Sequence, residues 1–216
     1  MLYLQHGGND MRDTVYFLVF DGFADWQAAL ALCEVRRPGD WQVRTVGFTL
    51  APVVSMGGLA VRPELALAEL DIPRAAMLIV PGGHLWQRGE GEPAVAALRR
   101  LHASGAVVAG IDSGVLALAR AGLLDRCRHT GNWPGHVASR VPGYAGAEQY
   151  DANLLAVSDG GTITASHLGS VEFAREVIRT LDLYSPAERE DWYRLFKHAL
   201  PPWVGDEAVA GEAAAA

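Results

Sequence analysis

The chain predicts an α/β fold, a doubly wound and mostly parallel sheet with helices on both faces, and three observations carry that expectation. Short apolar runs rich in β-branched residues, at 14–20, 42–48, 76–80 and 106–111, alternate with stretches of helical periodicity. The first, third and fourth runs lead into turn formers, Asp21-Gly22, Pro81-Gly82-Gly83 and Asp112-Ser113-Gly114. The 216 residues, half of them hydrophobic, suffice for one sizeable core and show no internal repeat.

Residues 1–13, polar and glycine-containing, read as a flexible leader; residues 14–203 form a single domain; residues 204–216, ending in GEAAAA, read as a disordered tail. The run 14–20 is short, lacks a basic leader and enters Asp21 and Asp25 directly, so it is a strand rather than a signal or a membrane span. A helix from about 24 to 36 follows. Its spacing puts Trp26, Leu30 and Cys33 on one inward face, with Cys33 as a small core hydrophobe. Gln27 then sits in the first helical turn near the end of the first strand, where a solvated side chain is the default. Pro38-Gly39 ends this helix, 42–48 alternates as a second strand, and 53–61 folds back around Gly57-Gly58 as a hairpin.

The third strand, 76–80, ends in Pro81-Gly82-Gly83-His84, where backbone N–H groups are expected to face a ligand and His84 and Trp86 to line its pocket. A helix spans 92–103. Further on, 154–157 and 162–165 pair across Asp159-Gly160-Gly161. Ser170 is expected to cap a helix to about 182 with Val171, Ala174, Val177, Ile178 and Leu181 inward. Ser185-Pro186-Ala187-Glu188 has the layout of a capping box with proline at the first helical position. The helix it starts places Trp192, Leu195, Phe196 and Ala199 on one face and stops at Pro201-Pro202.

Residues 106–124 are the centre of the pattern, a buried strand turning sharply into a helix. The turn is G-x-D-x-G, Gly110 to Gly114, the layout of a nucleophile elbow with Asp112 at its tip. A parallel, doubly wound sheet binds ligands outside the carboxyl ends of its strands. Residues 21–27, 82–86 and 112–114 all fall at such ends.

A formal charge of −7 and the absence of basic runs argue against nucleic acid or an anionic membrane as a partner and favour a small molecule. Two cysteines, Cys33 and Cys127, are too few and too distant in sequence for a metal site or a disulfide framework, so no metal or cofactor is expected and the setting is read as cytoplasmic.

Six stretches in order, VYFLVFDGFADW, VSMGGLAV, LIVPGGHLW, AGIDSGVLALARAGLL, RHTGNW and TITASHLGSVEFA, together resemble the ThiJ/PfpI superfamily, also called the DJ-one superfamily, of class I glutamine amidotransferase-like domains, over about 14–183. The resemblance implies a flavodoxin-like sandwich, usually a homodimer, with a cysteine at the elbow, an acid from the first helix bonded to it and, in many members, a histidine downstream. Here those three positions hold Asp112, Gln27 and Asn132. The family's backbone donors correspond to Gly83 and Ser113, and the family's thiol chemistry does not carry over.

Three residues therefore form the expected reactive set, Asp112, Gln27 and Asn132, with His84, Trp86, Trp133 and His167 as expected substrate contacts. Asp112 and Gln27 make sense as a pair, since an amide can donate to a carboxylate that would repel a glutamate. Two functions remain open. One is a hydrolase or hydratase in which Asp112 is nucleophile or base, with His84, His129, His136 or His167 as partner. The other is a non-catalytic ligand-binding or stress-related regulatory protein. Trp192 and Phe196 are read as the dimer surface.

Overall fold

In the computed structural model, which describes residues 12–201, the buried strand β1 (Thr14–Leu18) leads into helix α1 (Asp25–Arg36) and strand β2 (Gln42–Gly47). A small antiparallel hairpin follows, β3 (Val53–Val54) with β4 (Ala60–Val61), and then the short edge strand β5 (Leu65–Ala66). The second half runs β6 (Ala75–Val80), α2 (His84–Gln87), α3 (Glu92–Ala103), β7 (Val107–Ile111) and α4 (Gly114–Arg120). It closes with β8 (Ala156–Asp159), β9 (Thr162–Ala165), α5 (Ser170–Thr180) and α6 (Pro186–His198).

The seven-stranded sheet has the order β5-β2-β1-β6-β7-β9-β8, parallel throughout except for β8. Every residue of β1 and β6 is buried, as strands covered on both faces must be. One helix group packs α1 on α5 and α5 on α6; the other packs α2 and α3 on α4. The chain leaves β1 outward to β2 and returns to β6 on the other side, so the winding reverses between β1 and β6. The carboxyl ends of β1 and β6 thus flank the crevice where such sheets bind ligands. The β8–β9 turn is Gly160-Gly161 with φ of +55° and +76°, the left-handed pair that a tight hairpin requires.

The predicted hairpins, the helix at 92–103 and the capping box match, the last with Ser185 Oγ accepting from the Glu188 amide and the Glu188 carboxylate accepting from the Ser185 amide. Four expectations need correction. The inward face of α1 is Gln27, Ala28, Ala31, Glu34 and Val35, while Trp26 and Cys33 are exposed. The buried face carries small side chains and two polar groups with partners, Leu30 and Leu32 pack partly against the core, and Trp26 is turned out. The helix after β9 is capped by Gly169, not Ser170, because its first bond runs from the Phe173 amide to the Gly169 carbonyl at 2.7 Å. Trp192 is buried with Phe196 stacked on it at 4.9 Å, so it belongs to the packing of α6 and not to an open dimer surface. At the other end the leader's last two residues are bound: Arg12 donates to the carbonyls of Ala75 and Ser104, and Asp13 pairs with Arg74. Residues 1–11 and the expected tail at 204–216 lie outside the described residues. Among the described residues no helix is long and apolar enough to cross a membrane.

Glu34 ties the two ends of the domain. It is fully buried, accepts a hydrogen bond of 2.8 Å from the Tyr184 hydroxyl, and has the Arg37 guanidinium 3.0 Å from its other oxygen. Burial and the neighbouring carboxyl push the Tyr184 phenol up to about 12. Tyr184→Phe leaves the buried carboxyl without that donor and is expected to lower stability by about 2 kcal/mol, read by urea denaturation.

Candidate functional site

Asp112 stands between β7 and α4 with φ of +58°, a left-handed conformation that aspartate tolerates better than most side chains. Its amide donates to the Ala165 carbonyl at 2.9 Å, tying the elbow to the end of β9. The turn is this sharp because Gly114 lies against β6. A Cβ on Gly114 would stand 2.3 Å from the Val80 carbonyl oxygen.

Each oxygen of the Asp112 carboxylate accepts from one amide. Gln27 Nε2 donates to Oδ2 at 2.9 Å, and Asn132 Nδ2 donates to Oδ1 at 2.6 Å. Both amides are held in that sense by backbone donors: Gly82 N–H to Gln27 Oε1 at 2.7 Å, and His167 N–H to Asn132 Oδ1 at 3.0 Å. A backbone N–H can only donate, so neither amide can be reversed. The His167 ring adds Nδ1 to Asn132 Oδ1 at 3.1 Å, which requires the proton on Nδ1. The solvated default for Gln27 is overturned; the residue is 1% exposed because both ends of its amide are bonded.

The glycines after β6 differ from expectation. Their amides do not face an open site: Gly82 donates to Gln27, and Gly83 donates to Ser113 Oγ at 2.9 Å, which itself lies 3.1 Å from the Gly83 carbonyl. Room is what Gly82 supplies. A Cβ there would stand 2.2 Å from Asp112 Oδ2 and 2.8 Å from Gln27 Oε1.

The expected substrate contacts divide. Trp86 is buried, donates from Nε1 to the Pro81 carbonyl at 2.8 Å and packs edge-on against Phe20, so it is core and not pocket lining. Its size and the short α2 turn it under the loop. His84 is exposed and stands outside the Asp112 hydrogen-bond network. Trp133 is exposed beside Asn132, and its ring stacks on His136 at 4.1 Å.

Of the candidate partner bases, His129 is engaged at both ring nitrogens, with the Cys127 carbonyl and the Tyr144 hydroxyl. His136 is different. It is 1% exposed, its Nδ1 is buried without a hydrogen bond, and the Asp112 charge acts on it. Burial pushes its pKa down, opposed by Asp112 and assisted by Arg140 and His167. The composition of the loop pointed to it only as one histidine among four. Neither cysteine reaches the elbow: Cys33 is on the outer face of α1, and Cys127 is buried, with burial pushing its thiol up. A separate cleft of about 410 Å³, lined in part by Arg120, Arg140 and Tyr144, does not include Asp112.

Burial pushes the His129 pKa down as well, so the fold favours the neutral form of both rings. Stability is then full above the ordinary histidine value of 6.5 and falls below it, because the unfolded chain takes up protons that the folded one refuses. Thermal melts should show a falling Tm from about pH 7 to pH 5, and His136→Phe should reduce that slope.

The sequence profile described as the DJ-1/PfpI family matches residues 13–180. Over 196 residues the chain is 30% identical to a Bacillus subtilis protein named "Uncharacterized protease YoaZ", covering 88% of this chain and 93% of that protein. Among solved structures it is similar to a DJ-1 superfamily protein from Agrobacterium tumefaciens, at 31% identity and a TM-score of 0.79 over 86% of this chain and 98% of that one. A thiJ/pfpI family protein from Bacillus anthracis is similar at 29% identity and a TM-score of 0.81, over 86% of this chain and 91% of that one.

Proposed function

The chain belongs to the DJ-1/PfpI family, and from that premise we propose that its elbow is a small-molecule site in which Asp112, standing where the family resemblance implies a cysteine, holds a ligand by accepting hydrogen bonds and does not attack it. The observation that carries this reading is the double amide clamp on the carboxylate. Hydrogen bonds to both oxygens stabilise the negative charge and so weaken the group as a nucleophile. Of the two backbone donors that the resemblance implies for a developing oxyanion, the Gly83 amide is engaged by Ser113 Oγ. The protease label of the Bacillus subtilis relative has no thiolate to act through here, since both cysteines lie off the elbow.

A second reading, a hydratase-like enzyme with Asp112 or His136 accepting a proton from water, is favoured by one observation, the unpartnered buried Nδ1 of His136. Single-turnover reaction of a small ester in ¹⁸O-water tests whether Asp112 attacks; a base that only takes a proton from water leaves Asp112 unlabelled, so the hydratase is tested by turnover. The expected outcome is no label in Asp112 by mass spectrometry, and label there would establish the nucleophile. Asp112→Asn is expected to preserve the fold and lose ligand-induced thermal stabilisation; loss of measurable turnover instead would favour the hydratase.

As to assembly, we propose the homodimer that the family resemblance implies, formed through the exposed residues Val54, Met56 and Leu59 of the β3–β4 hairpin with Trp26 beside them. We propose a reducing, cytoplasmic setting on the separate ground of the two unpaired cysteines. Leu59→Asp should convert the dimer to a monomer in sedimentation velocity without lowering the Tm of the domain.

A further inference from the structure

We propose that Asp112 and the open face of Trp133 together recognise a small organic cation, an ammonium, amidinium or guanidinium group on a compact molecule; the inference rests on the reading of Asp112 as a ligand-holding acceptor. Asp112 is half-buried, and the two hydrogen-bond partners of its carboxylate are uncharged amides. An ionised carboxylate has roughly four acceptor sites, so a clamp by two donors leaves capacity for a ligand that brings both N–H groups and positive charge. Neutral donors organise the anion without neutralising it.

Trp133 supplies the second element. It directly follows Asn132, whose amide is bonded to Asp112, so the indole is carried on the loop that forms one wall of the carboxylate. The side chain is 51% exposed while one face of the ring lies on His136 at 4.1 Å and an interplanar angle of 30°. A large aromatic half open to solvent, one residue from a donor to a carboxylate whose bonded partners carry no charge, is the chemistry that binds organic cations, through charge at one end and the negative ring face at the other. The groups that act on His136 are Asp112 from the elbow, Arg140 from its own loop and His167 from the segment after β9. A buried neutral imidazole beneath the indole leaves the outer face as the place where a cation stacks. Leu168, 70% exposed next to His167, offers an apolar rim to the carbon skeleton of the ligand.

The test titrates the full chain with benzamidine, with tetramethylammonium and with neutral benzamide, by isothermal calorimetry and by the Trp133 indole N–H signal in NMR. Benzamidine is expected to saturate in the millimolar range, at least about tenfold tighter than benzamide. Tetramethylammonium is expected to move the same indole signal. Asp112→Asn should weaken benzamidine by about tenfold or more, and Trp133→Leu by about fivefold. Equal affinity for benzamidine and benzamide, with both weakened by Asp112→Asn, overturns the cation inference and leaves the ligand-holding reading standing. Cation binding indifferent to Asp112→Asn overturns both. No saturable binding of either cation overturns the inference. If Asp112→Asn does not fold, Trp133→Leu, at an exposed position, decides, and unchanged affinity there overturns it.

Discussion

The close approach of Gly114 to the backbone of Val80 is the constraint from which the site follows. With 2.3 Å between the place of a Cβ and the Val80 oxygen, no side chain fits, and the start of α4 can press against the end of β6 only because none is there. That contact goes with the sharp turn at Asp112 and its positive φ, and the carboxylate lies against Gly82 after β6 and Gln27 of α1. Gly82 makes the same kind of room from the other side. One glycine pressed against backbone and one pressed against the carboxylate itself leave room for this charged group, and a cluster of amides forms around it.

That cluster is stable because its members satisfy one another. Gln27 is buried on α1 at no loss of hydrogen bonding, since its oxygen takes the Gly82 amide and its nitrogen serves Asp112. Asn132 repeats the arrangement from the opposite side with His167 as its donor. Glu34, also on the inner face of α1, is met at one oxygen by the Tyr184 hydroxyl and has the Arg37 guanidinium near the other. Buried polar groups with assigned partners orient α1 as firmly as apolar contacts would, and they orient it against the apparent amphipathicity of its sequence.

The same principle separates the histidines. His129 has both ring nitrogens bonded and acts as a fixed part of the fold beneath Tyr144 and Tyr150. His136 is equally buried but has an unpartnered nitrogen and lies within reach of the Asp112 charge, under the ring of Trp133. Burial alone does not distinguish a structural histidine from one belonging to a site; the partner of each nitrogen does.

Periodicity and turn chemistry by themselves determined the strand–helix alternation, the hairpins at Gly57-Gly58 and Gly160-Gly161, the capping box at Ser185 and the elbow at Asp112, because each depends on residues within a few positions of one another. The resemblance carried by six motifs placed Gln27 and Asn132 at the elbow, where the structure brings both amides onto the carboxylate. What only the tertiary structure decided is which face of α1 turns inward, that Trp86 is core, that the glycine amides bond internally, and which buried histidine keeps an unpartnered nitrogen within the field of Asp112. The face of α1 and the internal bonds of the glycine amides depend on partners 30 to 150 residues away, such as Ser113 for Gly83, Asp112 for Gln27 and Tyr184 for Glu34. A polar side chain is stable in a core only where a distant donor or acceptor meets it, and no local pattern in the chain encodes that meeting.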